Sequence, residues 1–212
     1  MKIIIASHNI HKMEEMKVML KNLSVDVITL DNFPEIGDIP ETGKTLEENA
    51  LLKARIVNEI TGLPAIGDDT GLEVDALNGA PGVYSARYAG ENVSYEENVN
   101  KLLKEMEFIK EESRTARFRT VTTYVGGDDL ITAEGTIEGI ITKTPKGVNG
   151  FGYDPVFYIP KTKCTFAELS TEEKNRISHR GLALQKLCKF LFAHWSTNKT
   201  IGEYSIDLPL SD

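Results

Sequence analysis

This chain is poor in several things. Of its 212 residues two are cysteine and one is tryptophan, aromatics make up 8%, and 24 Lys and Arg stand against 32 Asp and Glu, for a net charge of −8. Each scarcity closes off a class of function. Cys164 and Cys188 lie far from any CxxC spacing, so neither a disulfide framework nor a zinc site is expected, only reduced thiols in or near a core. A surface for a polyanion needs a basic excess, so DNA and RNA are not expected partners, whereas a small anion needs only a local basic cluster or a metal ion. No segment approaches the roughly 18 apolar residues of a membrane span. The apolar start, up to Ala6, is too short for a signal-peptide core and gives way at once to Ser7-His8-Asn9, so we read it as a buried strand in a cytoplasmic protein without membrane contact. Internal repeats, low-complexity tracts and linkers are lacking too, which leaves one domain of one or two packed lobes over 1–194 and a polar tail over 195–212.

What is present is an alternation of strand and helix patterns, hence an α/β fold. Ile3–Ala6 reads as a strand buried on both faces. A helix over Lys12–Asn22 follows, with Met13, Met16, Leu20 and Leu23 inside and Glu14, Glu15, Lys17 and Lys21 largely opposite. Val25–Leu30 is a second strand and Phe33–Gly43 a loop. Thr45-Leu46-Glu47-Glu48 is a capping box opening a helix to about Ile60, with Leu46, Ala50, Ala54 and Val57 as its apolar face. Gly62-Leu63-Pro64 ends it before a short strand, Ala65-Ile66-Gly67. Ser94–Glu97 caps another helix. Arg117–Val125 and Leu130–Thr142 form a hairpin about Gly126–Asp129, so the sheet is mixed. Val156–Ile159 is one more strand, Ser170–Glu173 caps a short helix, and Ser178–His194 is the last helix.

Four constellations carry chemistry. Ser7-His8-Asn9-Ile10-His11-Lys12 stands between a strand and a helix, where free backbone N–H groups hold phosphate and Lys12 adds charge. It lacks the P-loop glycines, and Ser7 and Asn9 are also ordinary helix caps, which are far commoner than phosphate sites. Gly67-Asp68-Asp69-Thr70-Gly71 sets two adjacent carboxylates after an apolar strand. Adjacent aspartates repel unless a proton or cation relieves them, and a hard divalent ion suits oxygen ligands, with Glu35, Glu41, Glu47 and Glu48 near enough to complete its shell; a solvated acidic turn is the plainer reading. Gly150-Phe151-Gly152-Tyr153-Asp154 offers a flat aromatic in a Gly-rich loop, suited to a base or simply to the core. Lys174-Asn175-Arg176-Ile177-Ser178-His179-Arg180 gathers cations at a helix start, as a clamp for phosphate or keto oxygens or as a solvated helix end.

In order along the chain, Ser7–Glu15, Glu41–Ala50, Gly67–Leu72, Gly79–Tyr88, Gly150–Pro155 and Ser178–Gly181 resemble the motifs of the Ham1-like family, the inosine triphosphate and dITP/XTP pyrophosphatases, from about Lys2 to Phe192. The resemblance implies an elongated mixed α/β sheet flanked by helices, two lobes with a central cleft, a homodimer, and Mg²⁺-dependent hydrolysis of ITP, dITP and XTP to the monophosphate and pyrophosphate. It implies that Ser7, His8, Asn9, Ile10, His11 and Lys12 bind phosphates, with Lys12 assisting catalysis, and that Thr70 adjoins the substrate. Asp69 would activate water, and Asp68, Asp69 and either Glu41 or Glu35 would hold Mg²⁺. Phe151 would stack on the purine, Gly152, Tyr153 and Asp154 line its pocket, and Lys174, His179 and Arg180 touch phosphate or the 6-keto edge. Ser7 stands where Thr is common, and His8 replaces a small residue. A Maf-like enzyme of other base preference and a catalytically silent nucleotide-binding protein are the competing readings.

Overall fold

The first strand, β1 (Lys2–Ile5), is four residues long, and Ile3, Ile4 and Ile5 are all buried, as a strand covered on both faces requires. This computed structural model describes residues 2–23 and 25–198, so the expected tail lies, from residue 199 on, outside the described residues. Helix α1 (Ile10–Leu20) begins two residues before the predicted start, because the Asn9 side chain caps it by accepting from the Lys12 N–H. Glu15, expected on the outer face, is buried there. Strand β2 (Asp26–Thr29) pairs parallel to β1. Helix α2 (Leu46–Thr61) buries the predicted Leu46, Ala50, Ala54 and Val57, and with them Asn49 and Lys53. Thr45 caps it, but Glu48 reaches the Lys44 N–H rather than that of Thr45, so the predicted capping box closes one residue early.

Strand β3 (Ala65–Val74) departs most from expectation. It runs ten residues rather than three and carries Asp68 and Asp69 in its middle, not in a turn. A two-residue strand, β4 (Pro81–Gly82), pairs with its far end. Helix α3 (Tyr95–Glu105) has a complete capping box at Ser94 and Glu97. Strands β5 (Thr115–Gly126) and β6 (Asp129–Ile141) form the predicted hairpin, turning at Gly127 with φ 61°. At 12 and 13 residues they are a spine of roughly 40 Å. β7 (Phe157–Ile159) and the unpredicted β8 (Cys164–Thr165) complete a mixed sheet of order β2-β1-β3-β5-β6-β7-β8, and α4 (Thr171–Ile177) and α5 (His179–Asn198) close the chain. α5 continues four residues past the predicted His194. No helix among the described residues is long and apolar enough to cross a membrane.

The apolar core is divided. One cluster packs Leu72, Leu102, Phe118, Phe157 and Phe166 toward the β7 end. Two others cover the opposite faces of the β1 end, one with Met16, Ile66 and Leu187, the other with Ile4, Leu30 and Val57. Two glycines let helices press directly on the spine. A Cβ at Gly67 would run into the Ala50 carbonyl of α2, and one at Gly135 into the His179 carbonyl and Ala183 N of α5. These close approaches bring Lys53 and Asn49 to one face of β3 and Arg180 to the other.

Candidate active site

The site lies where β1 stops. β1 pairs with β3 only through Ile4 with Ala65 and Ile5 with Ile66, while β4 pairs with Leu72 and Glu73. Between them the edge of β3 from Gly67 to Gly71 has no strand beside it, and a cavity of about 400 Å³ opens along this notch, a size suited to a small organic ligand.

Successive strand side chains point to opposite faces, so the two aspartates part company. Asp68, 1% exposed, faces α1 and α5. Arg180 Nε donates to its Oδ2 at 3.2 Å, and Lys12 Nζ lies 2.8 Å from its Oδ1. Burial would raise its pKa, but Arg180 and Lys12 outweigh that and hold the carboxyl well below the ordinary range. Asp69, 4% exposed, faces α2. Asn49 Nδ2 donates to its Oδ2 at 3.0 Å and Lys53 Nζ to its Oδ1 at 3.2 Å. Burial raises its pKa, with Lys53 and Lys12 working against the rise. Lys53 also donates to Glu41 Oε1 at 2.7 Å, and Arg87 donates to Glu41 Oε2 at 3.3 Å. Burial opposes the ionised form of Glu41, but Lys53 and Lys12 win and lower its pKa.

At the other end of the cavity stands a buried charge cluster. Lys174 Nζ donates to Asp154 Oδ2 at 2.6 Å and to Glu15 Oε1 at 2.9 Å. Arg180 donates to Glu15 Oε2 at 2.5 Å and to Thr70 Oγ1 at 3.0 Å. Asp154 Oδ2 also accepts the Phe151 N–H at 2.8 Å. The Phe151 ring has Lys174 Nζ 4.7 Å from its centroid and the Arg180 guanidinium at 5.7 Å. His179 stacks on Phe118 at 4.5 Å and has no hydrogen-bond partner at Nδ1 among the described residues. Burial, then Arg180 and Lys174, drive its pKa well below 6.5, so its ring is neutral near pH 7.

Glu47, paired with Arg119, and Glu48, on the Lys44 N–H, lie away from the cavity, and of the residues to which the resemblance gives a role, Ser7, His8, Asn9, Lys12, Glu41, Asp69, Thr70, Phe151, Gly152, Tyr153, Asp154, Lys174, His179 and Arg180 line it. Four do not. Ile10 is 64% exposed, and His11 is exposed and stacks on Phe151 at 5.1 Å. Glu35 points to solvent, so of the two candidate glutamates Glu41 is the one at the site. Asp68 lies behind the cavity, across the strand from Asp69. Lys53, Asn49, Glu15, Arg87 and Tyr95 were missed. Lys53 carried a signal: it falls on the helical stripe of Leu46, Ala50, Ala54 and Val57, where a lysine needs buried partners. Asn49, Glu15 and Arg87 sat inside recognised motifs without a role. Nothing local marked Tyr95, whose hydroxyl accepts from Asn9 Nδ2 at 3.1 Å across 86 residues of chain.

Fold and cavity together define a mixed α/β protein with a site for a small phosphate-bearing ligand: cations and helix N–H groups at one end, an aromatic and buried polar groups at the other. The chain belongs to the Ham1 family, whose model matches residues 3–190. It is 51% identical over 191 residues to a dITP/XTP pyrophosphatase of Thermoanaerobacter pseudethanolicus, spanning 90% of this chain and 96% of the relative. With a dITP/XTP pyrophosphatase of Bacillus licheniformis it shares 50% over 190 residues, 89% of this chain and 97% of that one. Among solved structures, the Staphylococcus aureus Ham1 protein superposes with a TM-score of 0.82 at 44% identity, covering 92% of this chain and 100% of that chain. A HAM1 protein from Coxiella burnetii gives 0.83 at 43%, covering 91% and 99%. The expected family and mixed α/β fold are thereby borne out.

Proposed function

We propose that this protein hydrolyses non-standard purine nucleoside triphosphates, ITP, dITP and XTP, to the monophosphate and pyrophosphate, clearing them from the nucleotide pool. The observation that carries the proposal is one cavity whose two ends match the two ends of a nucleotide. Curated relatives about half identical over nearly the whole chain are dITP/XTP pyrophosphatases, which supports the same reading.

The phosphates lie against Ser7, Asn9 and Lys12 at the α1 N-terminus, where N–H groups and the helix dipole favour anions. Asp69 takes a proton from the attacking water, and the burial that raises its pKa in the absence of a bound cation favours that transfer. Lys53 and Asn49 hold its carboxylate toward the cavity. At the base end, Phe151 stacks on the purine while Lys174 offers its remaining N–H to a 6-keto oxygen. A 6-amino group there would set donor against donor, which disfavours adenine nucleotides.

Mg²⁺ is part of the proposal. Among the described residues no group of three or more His, Cys, Asp and Glu side chains stands at metal-holding spacing. The carboxylates of Asp69 and Glu41 do converge on the single Lys53 ammonium, so their oxygens can face one small cation. Two carboxylates fit Mg²⁺, which keeps waters and takes the rest of its shell from substrate phosphates. When bound it would neutralise developing phosphate charge. A homodimer and a cytoplasmic location complete the proposal on the strength of the resemblance.

The test is pyrophosphate release from ITP, XTP, dITP, ATP, GTP and dUTP, with and without Mg²⁺. Mg²⁺-dependent release from ITP, dITP and XTP with little from ATP is expected. Release mainly from other nucleotides overturns the substrate, and binding of ITP without release from any nucleotide overturns the enzyme.

A further inference from the structure

His11 has a well-defined neighbourhood but no place in the mechanism above. It is the second residue of α1, next to Lys12, and successive helical side chains diverge by about 100°. Lys12 therefore turns inward to Asp68 while His11 turns outward, and its imidazole lies nearly parallel to the Phe151 ring, 5.1 Å between centroids with 14° between planes. Tyr95 closes the group, tilted against both rings at 6.3 Å from His11 and 5.8 Å from Phe151. Asn9, the cap of α1, ties down the Tyr95 hydroxyl.

Phe151 needs such support. It sits between Gly150 at φ 73° and Gly152 at φ 62°, in a loop whose backbone is held at Phe151, among the described residues, by Asp154 alone, whose Oδ2 accepts the Phe151 N–H and whose N–H donates to the Phe151 carbonyl. The cations that approach its ring, Lys174 and Arg180, are buried and line the cavity. His11 is exposed and does not line it.

We propose that His11 is a positioning residue for base recognition: its imidazole backs the solvent side of Phe151, so that the cavity side presents a fixed plane to the purine. The same helix start that meets the phosphates then also sets the base platform. The inference rests on the proposed pyrophosphatase reading and deepens it, giving His11 a role at the base end rather than at the phosphates.

The experiment compares wild type, His11→Ala and His11→Phe for pyrophosphate release from ITP, with inhibition by inorganic tripolyphosphate measured in parallel. Loss of a parallel ring contact should raise the KM of His11→Ala for ITP about three- to tenfold, with kcat and tripolyphosphate inhibition unchanged. His11→Phe, which keeps a flat ring, should restore KM. Equal weakening of tripolyphosphate inhibition would return His11 to the phosphates and overturn the proposal. A lowered KM in His11→Ala would mean that the imidazole competes with the base for Phe151 and would overturn it too, as would an unchanged KM. Absence of any release by wild type would instead remove the pyrophosphatase reading.

Discussion

The two faces of β3 at Asp68 and Asp69 hold the same chemical group and use it in opposite ways. On one face, Asp68 is closed off among Arg180 and Lys12, and its proton is driven away. On the other, Asp69 borders the cavity, and burial keeps its proton affinity above that of a free aspartate. A single residue of register separates a carboxylate that holds buried cations in place from one that borders the cavity with its proton affinity raised. Enzymes commonly separate roles between two carboxylates by environment rather than by residue type. Here the pleat of one strand achieves it.

The largest effect should come from breaking the closed face. Asp68→Ala leaves Arg180 and Lys12 short of their shared counter-charge in a buried setting, and removal of one partner from a buried pair costs about 3–5 kcal/mol. Chemical denaturation should show that loss, and a stability within about 1 kcal/mol of wild type would mean that water reaches this cluster. Next comes the open face. Asp69→Asn should retain nucleotide binding and the fold but lose on the order of 10²-fold or more in kcat. Wild-type-like turnover would sink its role as base.

Acid should separate the two faces as well. The Asp68 pKa is lower in the fold than in the unfolded chain, so its stabilisation is complete above the ordinary aspartate value of about 3.9 and is lost only as pH falls below it. Without a bound cation the Asp69 pKa is raised, so its proton returns above that value, in a joint titration with Glu41 that also competes with Mg²⁺ for the two carboxylates. Turnover should therefore fall on acidification while circular dichroism still reports a folded protein. Coincident loss of activity and fold would contradict this assignment.

The sequence made much of the fold legible and divided the site unevenly. Strong local signals survived: the Ile-rich β1, the apolar stripe of α2, the Ser94 and Ser170 capping boxes, and the Gly127 turn of the hairpin. β3 was read as three residues because Gly67, Gly71 and two aspartates contradict strand propensity. Its length comes from tertiary pairing, a full ladder with β5 from Ala65 to Val74, which no local pattern announces. The same error hid the parting of Asp68 and Asp69, since a turn can bring both carboxylates to one side and a strand sends them to opposite faces. Lys12, Asp69, Phe151, Asp154, Lys174 and Arg180, which all line the cavity, were singled out because they sit in contiguous motifs. Lys53 and Tyr95 act through contacts made across the fold, and of these only Lys53 left a mark, as a charge on an apolar stripe.

The smallest effect sharpens the comparison by setting an exposed charge cluster against the buried one. Farther along β3, on the Asp69 side, Arg119 of β5 meets three carboxylates, Glu47 at 2.6 Å, Glu73 at 3.1 Å and Glu134 at 3.2 Å. By number of partners this cluster exceeds that of Asp68. Yet its carboxylates are a quarter to a half exposed, so water already solvates them and salt screens what remains. Arg119→Ala should lower stability by at most about 1 kcal/mol, and the loss should shrink in high salt. The Asp68→Ala loss, made where water does not reach, should persist there. Urea denaturation of both variants at low and high ionic strength makes the comparison. A large, salt-insensitive loss in Arg119→Ala would show that the exposed cluster is as structural as the buried one, and that burial is not what distinguishes the two.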